Sequence, residues 1–305
     1  MKNVISTQEL LKEEVEKILS RAGEMEKECK AGQVQKLLEN KIVACMFFEP
    51  STRTRLSFET AVLKLGGEVI SSENAEANSS AYKGETIEDT VRMLNCYADI
   101  IVIRHPKMGA VAKAAAVSSK PVINAGDGAN EHPTQALLDL YTIKKEHGRL
   151  ENISIAFVGD VLNSRTLRSL VPLLMRYKGN KFYFVSPKEL VLAEEYRKFL
   201  KENNVDFKET NSLEEILPKV DVLYMTRVQK ERFENASDYE KVKDSFLLEM
   251  KHVAKLKKDA IIMHPLPRVN EIATEIDSDS RAAYFRQAEN GLYVRMAILA
   301  EVLNL

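Results

Sequence analysis

Short apolar runs alternate with helix-period segments along this sequence, and they do so in two successive series. The first series opens with Ile42-Val43-Ala44-Cys45-Met46-Phe47-Phe48, after which a helical pattern runs from about Arg53 to Leu65 and stops at Gly66-Gly67. Glu68-Val69-Ile70, Ile100-Ile101-Val102-Ile103 and Pro121-Val122-Ile123-Asn124 follow as further strand candidates. Between them lie a polar loop from Ser71 to Glu85 and helical patterns through Ile87, Val91, Met93 and Leu94 and from Met108 to Val117. A long helix starts near Pro133 and carries Leu137, Leu138, Leu140 and Ile143. The second series has strand candidates at Ile153–Val158, Lys181–Val185, Val222–Met225 and Ala260–Met263, with a helix entered near Ser164 and a last one from about Arg281 to Leu303. Runs that are apolar on both faces suit parallel sheets covered by helices. Strand–helix alternation repeated in this way predicts two α/β domains, each a parallel sheet flanked by helices. At 305 residues the chain is long enough for two cores. A first helix is expected from a capping box, Ser6 with Glu9, ahead of Leu11, Val15, Ile18, Leu19, Ala22 and Met25 at helical spacing.

Charge narrows the function classes. The 44 Lys+Arg and 45 Asp+Glu are interleaved, for a formal net charge of -1, so nothing points to nucleic acid, which calls for a clustered basic surface. Cys29, Cys45 and Cys96 are scattered, which argues against a disulfide framework or a zinc knuckle, and Cys45 reads as a small buried hydrophobe. The N-terminus lacks a signal-peptide apolar core, and no stretch is long enough for a bilayer. The expectation is a reduced, cytoplasmic protein without a membrane partner.

Chemistry concentrates where the first apolar run ends, at Phe48-Glu49-Pro50-Ser51-Thr52-Arg53-Thr54-Arg55-Leu56-Ser57. A strand ends, a turn begins at Pro50, and hydroxyls alternate with arginines as a helix starts. Backbone N–H groups and the positive end of the helix favour an anion. Ser51, Thr52 and Thr54 add neutral donors, and Arg53 a bidentate fork. This is a phosphate cradle that needs no glycine-rich loop. The alternative, a capped helix with solvated arginines, fits poorly because helix starts favour acids. Arg55 is the weaker of the pair and suits packing, or an ion pair with Glu85 or another nearby acid.

Other candidates have two readings on their residues alone. Arg165 and Arg227 lie on loops at the carboxyl ends of second-series strands, where open α/β sheets bind ligands, yet Arg165 is equally a helix-face arginine in water. His132 is equally a helix-starting residue that caps backbone. His264, beside prolines, reads as a turn residue, and His105, His147 and His252 share no metal-ligand spacing. Gly159-Asp160 hints at a dinucleotide fold, but G-x-G-x-x-G is missing.

Several of these segments, in order along almost the whole chain, resemble the aspartate/ornithine carbamoyltransferase family. Ser51–Arg55 resembles its carbamoyl-phosphate signature, Arg104-His105-Pro106 its single-arginine site, and His132-Pro133-Thr134-Gln135 its second signature. His264-Pro265-Leu266-Pro267-Arg268 and Thr226-Arg227-Val228-Gln229 resemble the aspartate branch, and the ornithine-type Ser-Met-Gly loop is absent. Ser79-Ser80-Ala81-Tyr82-Lys83-Gly84 resembles the mobile loop that reaches a neighbouring subunit's site. Asn163-Ser164-Arg165-Thr166 departs from the Tyr-Gly-Arg-Thr of some relatives.

The resemblance implies transfer of a carbamoyl group from carbamoyl phosphate to the amino group of L-aspartate, an early step of pyrimidine biosynthesis, with no cofactor and no metal. It implies a carbamoyl-phosphate-binding domain over residues 1–131, an aspartate-binding domain over 132–287, and a C-terminal helix, 288–305, packing back on the first. Ser51, Thr52, Arg53, Thr54 and Arg104 would hold phosphate; Thr54, Arg104 and His132 would polarise the carbonyl; Gln135 and the carbonyls of Leu266 and Pro267 would receive the carbamoyl NH2. Arg165, Arg227 and Gln229 would hold aspartate, while Ser79 and Lys83 would come from an adjacent chain of a homotrimer, Lys83 near both substrates. Arg53, Thr54, Lys83, Arg104 and His132 would form the catalytic set, and a separate regulatory chain is a further partner to expect. The rival readings are a carbamoyltransferase for another amine such as ornithine, and a metabolite sensor on the same fold.

Overall fold

A computed structural model describes residues 2–75, 84–228, 233, 235–242 and 245–305. The chain divides into two compact units: Met1–Tyr141 with Arg168–Pro172 and Glu289–Leu305, and Thr142–Leu167 with Leu173–Ala288. The division falls inside three helices, Pro133–His147, Arg165–Leu174 and Tyr284–Val302.

Unit 1 is built on β1 (Ile42–Phe47), β2 (Glu68–Glu73), β3 (Ile100–His105) and β4 (Val122–Asp127), all parallel, in the order β2-β1-β3-β4. Its helices are α1 (Lys12–Ala31), α2 (Thr52–Lys64), α3 (Ile87–Leu94), α4 (Ala110–Val117) and the start of α5 (Pro133–His147). β1 and β4 are buried almost throughout, as runs apolar on both faces should be when helices cover both sides of the sheet. Ala44, Met46, Ile101, Ile103 and Val122 pack with Val91, Leu94, Val111 and Ala114 of α3 and α4. Register brings Phe47 opposite both Glu73 and Arg104, so the carboxyl ends of β2, β1 and β3 line up. The C-terminal helix, α11 (Tyr284–Val302), returns to this unit: Lys17 Nζ pairs with Glu301 at 2.6 Å and Cys29 Sγ lies 3.7 Å from Met296 Sδ.

Unit 2 is built on β5 (Ser154–Val158), β6 (Lys181–Val185), β7 (Asp206–Thr210), β8 (Val222–Met225) and β9 (Ile261–Met263), again parallel, in the order β7-β6-β5-β8-β9. Around it lie α6 (Arg165–Leu174), α7 (Glu194–Glu202), α8 (Leu213–Ile216), α9 (Ala236–Val242) and α10 (Met250–Val253).

Three expectations need correction. Ser6 does not cap the first helix, which starts at Lys12; its hydroxyl donates to Glu131 Oε1 at 2.6 Å. The segment before α1 instead runs beside β4, with Val4 N donating to Val122 O at 3.0 Å, and Thr7 donates to Glu131 from both N and Oγ1. The last helix begins at Tyr284 rather than Arg281, whose guanidinium is drawn off to Asp279 and the Val253 carbonyl. β7 and its flanking helices went unread because the edge strand Asp-Phe-Lys-Glu-Thr is polar and only partly buried. Cys45 is fully buried, and burial pushes its thiol up to about 12. No described helix is long and apolar enough to cross a membrane.

Candidate active site

Strand order decides where unit 1 can bind. From β1 the chain moves to β2 on one side and then to β3 on the other, so the crossover connections diverge at the β1/β3 boundary. The crevice outside the carboxyl ends at such a switch point is where open α/β sheets take ligands. The chain leaving β1 is the Glu49–Thr54 segment, and Arg104 is the residue of β3 at that end. Phe48 N donates to the Arg104 carbonyl at 2.8 Å and fastens the two together.

The start of α2 has the character of an anion site. Ser51 holds the N-cap position, but its side chain makes no capping bond, and the first turn contains no acid. The helix start is therefore left with its positive end unopposed by a local carboxylate. Thr54 is buried, Arg53 is exposed, and Ser51 lies between. Arg55 turns the other way: its Nη1 pairs with Glu59 and its Nη2 with Glu73, both at 3.0 Å, while Ser71 Oγ donates to the same Glu59 at 2.6 Å. Of the alternatives open to Arg55, packing or an ion pair with Glu85 or another nearby acid, the structure shows the pair with other nearby acids, while Glu85 accepts from Thr90 at 2.7 Å.

Arg104 is buried, and its Nε donates to Glu49 Oε2 at 3.0 Å. Sequence reasoning passed over Glu49, although a carboxylate at the end of a strand directly before the cradle was a legible signal. Beside Arg104, Gly126 has φ +134, and a Cβ there would stand 3.3 Å from Arg104 Nη1, so the strand end leaves room for the guanidinium. Asp127 follows, accepting from Gly109 N at 2.9 Å and from Asn130 Nδ2 at 3.2 Å, which ties the ends of β3 and β4. His132 and Gln135 open α5, both buried; His132 N donates to Ser169 Oγ at 2.8 Å, and Gln135 Nε2 donates to Asp139 Oδ1 at 2.9 Å.

Unit 2 repeats the logic. Its switch point lies between β5 and β8; Arg165 opens α6 after the loop leaving β5, Arg227 lies on the loop leaving β8, and each is partly buried. Gly159 (φ +112) ends β5 where a Cβ would meet the Thr226 carbonyl at 2.4 Å, which accounts for the glycine without any dinucleotide. Thr226 donates from both N and Oγ1 to the Val158 carbonyl at 2.8 Å and so sets the base of Arg227. Asp160 accepts from Asn163 N at 2.9 Å and from its Nδ2 at 3.2 Å within its own loop.

After β9, His264 is buried and structural. It joins Glu271 at 2.7 Å through Nε2 and accepts from Leu266 N at 2.8 Å through Nδ1. Burial, the largest single influence, would raise the Glu271 carboxyl, but the His264 bond and charge together with backbone N–H donors such as Val269 outweigh it and hold that carboxyl below its usual range. His264 thus braces Leu266, a non-glycine residue at φ 56 followed by a cis bond to Pro267. Ser79, Lys83 and Gln229 lie outside the described residues. Among the described residues, no cluster of His, Cys, Asp or Glu is placed to hold a metal.

Comparison with known proteins adds an independent line. Residues 2–145 match the family described as aspartate/ornithine carbamoyltransferase, carbamoyl-P binding domain, and residues 151–302 its Asp/Orn binding domain. Among curated relatives, the aspartate carbamoyltransferase catalytic subunit of Lachnoclostridium phytofermentans is 49% identical, the match covering 100% of this chain and 98% of the relative. The chloroplastic aspartate carbamoyltransferase of Arabidopsis thaliana is also 49% identical, over 98% of this chain and 77% of the relative. Among solved structures, the catalytic subunit of M. jannaschii aspartate transcarbamoylase aligns with a TM-score of 0.92 at 50% identity, covering 100% of this chain and 98% of that one. The Trypanosoma cruzi aspartate transcarbamoylase in complex with carbamoyl phosphate and aspartate aligns with a TM-score of 0.90 at 39% identity, covering 98% and 95%.

Proposed function

The chain belongs to the aspartate/ornithine carbamoyltransferase family, and from that premise we propose the reaction and the residues that carry it. It transfers the carbamoyl group of carbamoyl phosphate to the amino group of L-aspartate, giving N-carbamoyl-L-aspartate and phosphate. One observation carries the reading: an acid-free helix start bearing Ser51, Thr52, Arg53 and Thr54 lies beside Arg104 at the switch point of the first sheet. The relatives support the choice of acceptor, since the Trypanosoma cruzi enzyme is seen with aspartate and phosphate and with carbamoyl aspartate and phosphate.

The chemical problem is charge. As the amine attacks, a C–N bond forms and a tetrahedral oxyanion develops; as it collapses, the carbon–oxygen bond to phosphate breaks and negative charge grows on the leaving group. Donors fixed in advance are the effective remedy, because they need no reorganisation as the charge appears. Ser51, Thr52, Arg53, Thr54 and Arg104 hold the phosphate, and Thr54, Arg104 and His132 stabilise the oxyanion. Gln135 accepts from the carbamoyl NH2, for which Leu266 and Pro267 supply backbone carbonyls. Arg165, Arg227 and Gln229 hold the aspartate carboxylates, a role that their charge suits and that the ammonium of ornithine would oppose. Ser79 and Lys83 act in the site of an adjacent chain of a homotrimer, with Lys83 near both substrates. The departing phosphate takes the amine proton. The clostridial relatives are named catalytic subunits, which supports a separate regulatory chain as a partner, and we place the enzyme in the cytoplasm.

Product analysis with the purified chain tests this directly. Carbamoyl phosphate is supplied with aspartate and with ornithine side by side, and carbamoyl-aspartate alone is expected. Product with ornithine only would mean that Arg165 and Arg227 have been misassigned; product with neither would favour the sensor.

A further inference from the structure

The amide of Gln135 is held by one neighbour in a way that fixes which of its two ends faces a ligand. Gln135 and Asp139 lie one turn apart on α5, both buried, with Nε2 donating to Asp139 Oδ1 at 2.9 Å. A carboxylate accepts and does not donate. Turning the amide over would set Oε1 against Oδ1, two acceptors at hydrogen-bond distance in a place shut off from water. The amide is thereby committed, and Oε1 is the end that Gln135 offers onward.

Asp139 also sits in the field of a buried cation. It is fully buried, and its charge acts on Arg295 of α11, whose guanidinium is also buried and is pushed down to about 10 by that burial, against the opposing pull of Asp139. Arg295 Nη1 donates to Ser57 Oγ at 2.9 Å, and its guanidinium stands 5.2 Å from the centre of the Phe58 ring. Gly291 makes room for it, since a Cβ there would fall 2.5 Å from Arg295 Nη1. Ser57 and Phe58 belong to α2, about one turn beyond Thr54. Contacts thus link α2 to Arg295, charge links Arg295 to Asp139, and a hydrogen bond links Asp139 to the Gln135 amide, all within unit 1.

We propose that Asp139 is a positioning residue that sets substrate specificity: by holding Oε1 of Gln135 toward the ligand, it selects acyl phosphates whose carbonyl carbon bears NH2 over those bearing a methyl group. The inference rests on the reading of Gln135 as the acceptor for the carbamoyl NH2. A methyl group has nothing to donate, so binding it strips Oε1 of water without replacement, the situation in which polar sites discriminate well.

The test compares the KM of carbamoyl phosphate with the inhibition constant of acetyl phosphate as a competitor. Asp139→Asn keeps the shape but adds an NH2 donor, so the Gln135 amide becomes free to stand either way. The expected result is a rise of about ten-fold in the carbamoyl phosphate KM, the loss typical of one buried hydrogen bond, with the acetyl phosphate constant nearly unchanged. In a Gln135→Ala background, adding Asp139→Asn should leave the ratio where it was. Because the single variant strands a buried guanidinium, Asp139→Asn combined with Arg295→Met carries the same measurement with both charges removed. If both constants rise together, Asp139 merely supports the fold and the proposal is wrong. If Gln135→Ala raises the KM but Asp139→Asn leaves the ratio alone, the orientation idea fails while the role of Gln135 stands. If Gln135→Ala leaves the KM unchanged, the role of Gln135 falls and takes this proposal with it.

Discussion

At the scale of single residues, Arg104, the arginine proposed to hold phosphate, shows how a site depends on what is absent beside it. Arg104 is held by Glu49 on one side and passes Gly126 on the other. Gly126→Ala places a methyl group 3.3 Å from Arg104 Nη1 on backbone at φ +134, a conformation that L side chains rarely adopt. The backbone strain costs about 1–3 kcal/mol, and the crowded guanidinium must shift. The expected outcome is a KM for carbamoyl phosphate raised roughly ten-fold, as for one weakened charged contact, with a lower denaturation midpoint. Steady-state kinetics beside urea unfolding checks both; unchanged kinetics would show that Arg104 does not depend on that gap.

At the scale of elements, the amino ends of the second sheet are tied by one carboxylate. Asp221 accepts from Ser154 N and from Lys257 Nζ, both at 2.8 Å, while its own N donates to the Ser154 carbonyl and its carbonyl accepts from Ile261 N. Burial alone would raise Asp221, but Lys257 and the Ser154 amide outweigh it and hold it below its ordinary 3.8. His147, at the last turn of α5, lies against this knot. Burial pushes its imidazole below the ordinary 6.5, with Arg149 adding to the shift and Asp221 and Asp259 opposing it. The folded protein therefore binds fewer protons here than the unfolded chain, so stability falls as pH drops below 6.5 and the loss stops growing under the folded value. The Asp221 contribution is lost at lower pH, below 3.8, which keeps the two windows apart. Urea midpoints taken from about pH 7 to about pH 5.5 should decline in the parent and decline less in His147→Gln. An equally steep decline in the variant would assign the effect to other groups.

At the scale of the whole molecule, the proposal that Ser79 and Lys83 work in an adjacent chain makes activity a property of the assembly. Neither a Lys83→Ala chain nor an Arg53→Ala chain should be active alone, but mixed trimers contain sites that draw both intact residues from different chains. Subunit exchange between the two inactive variants should then restore a fraction of the parent turnover. Verified exchange without recovery would place Lys83 in its own chain's site or outside the chemistry. The same assembly is where a regulatory chain would attach, and sedimentation of the purified chain with and without a candidate partner reads that out.

Local chemistry was enough for much of this. The apolar runs at Ile42, Ile100, Ile153 and Val222 determined where strands form, because a parallel strand covered on both faces must be apolar along its length. The hydroxyl–arginine helix start after Phe48 was legible as a cradle suited to an anion, since its donors are neighbours in sequence. Sheet order, by contrast, depends on which strands meet across long connections, and no local signal specifies that β1 lies against both β2 and β3. That arrangement alone brings Arg104 to the Ser51 helix and puts Glu73 rather than Glu85 against Arg55. Ser6 was misread because its local capping signal lost to Glu131, a partner 125 residues away. The coupling of Arg295 to Asp139 was likewise beyond the sequence, because the last helix had to return to the first unit before a buried arginine could feel that carboxylate's charge.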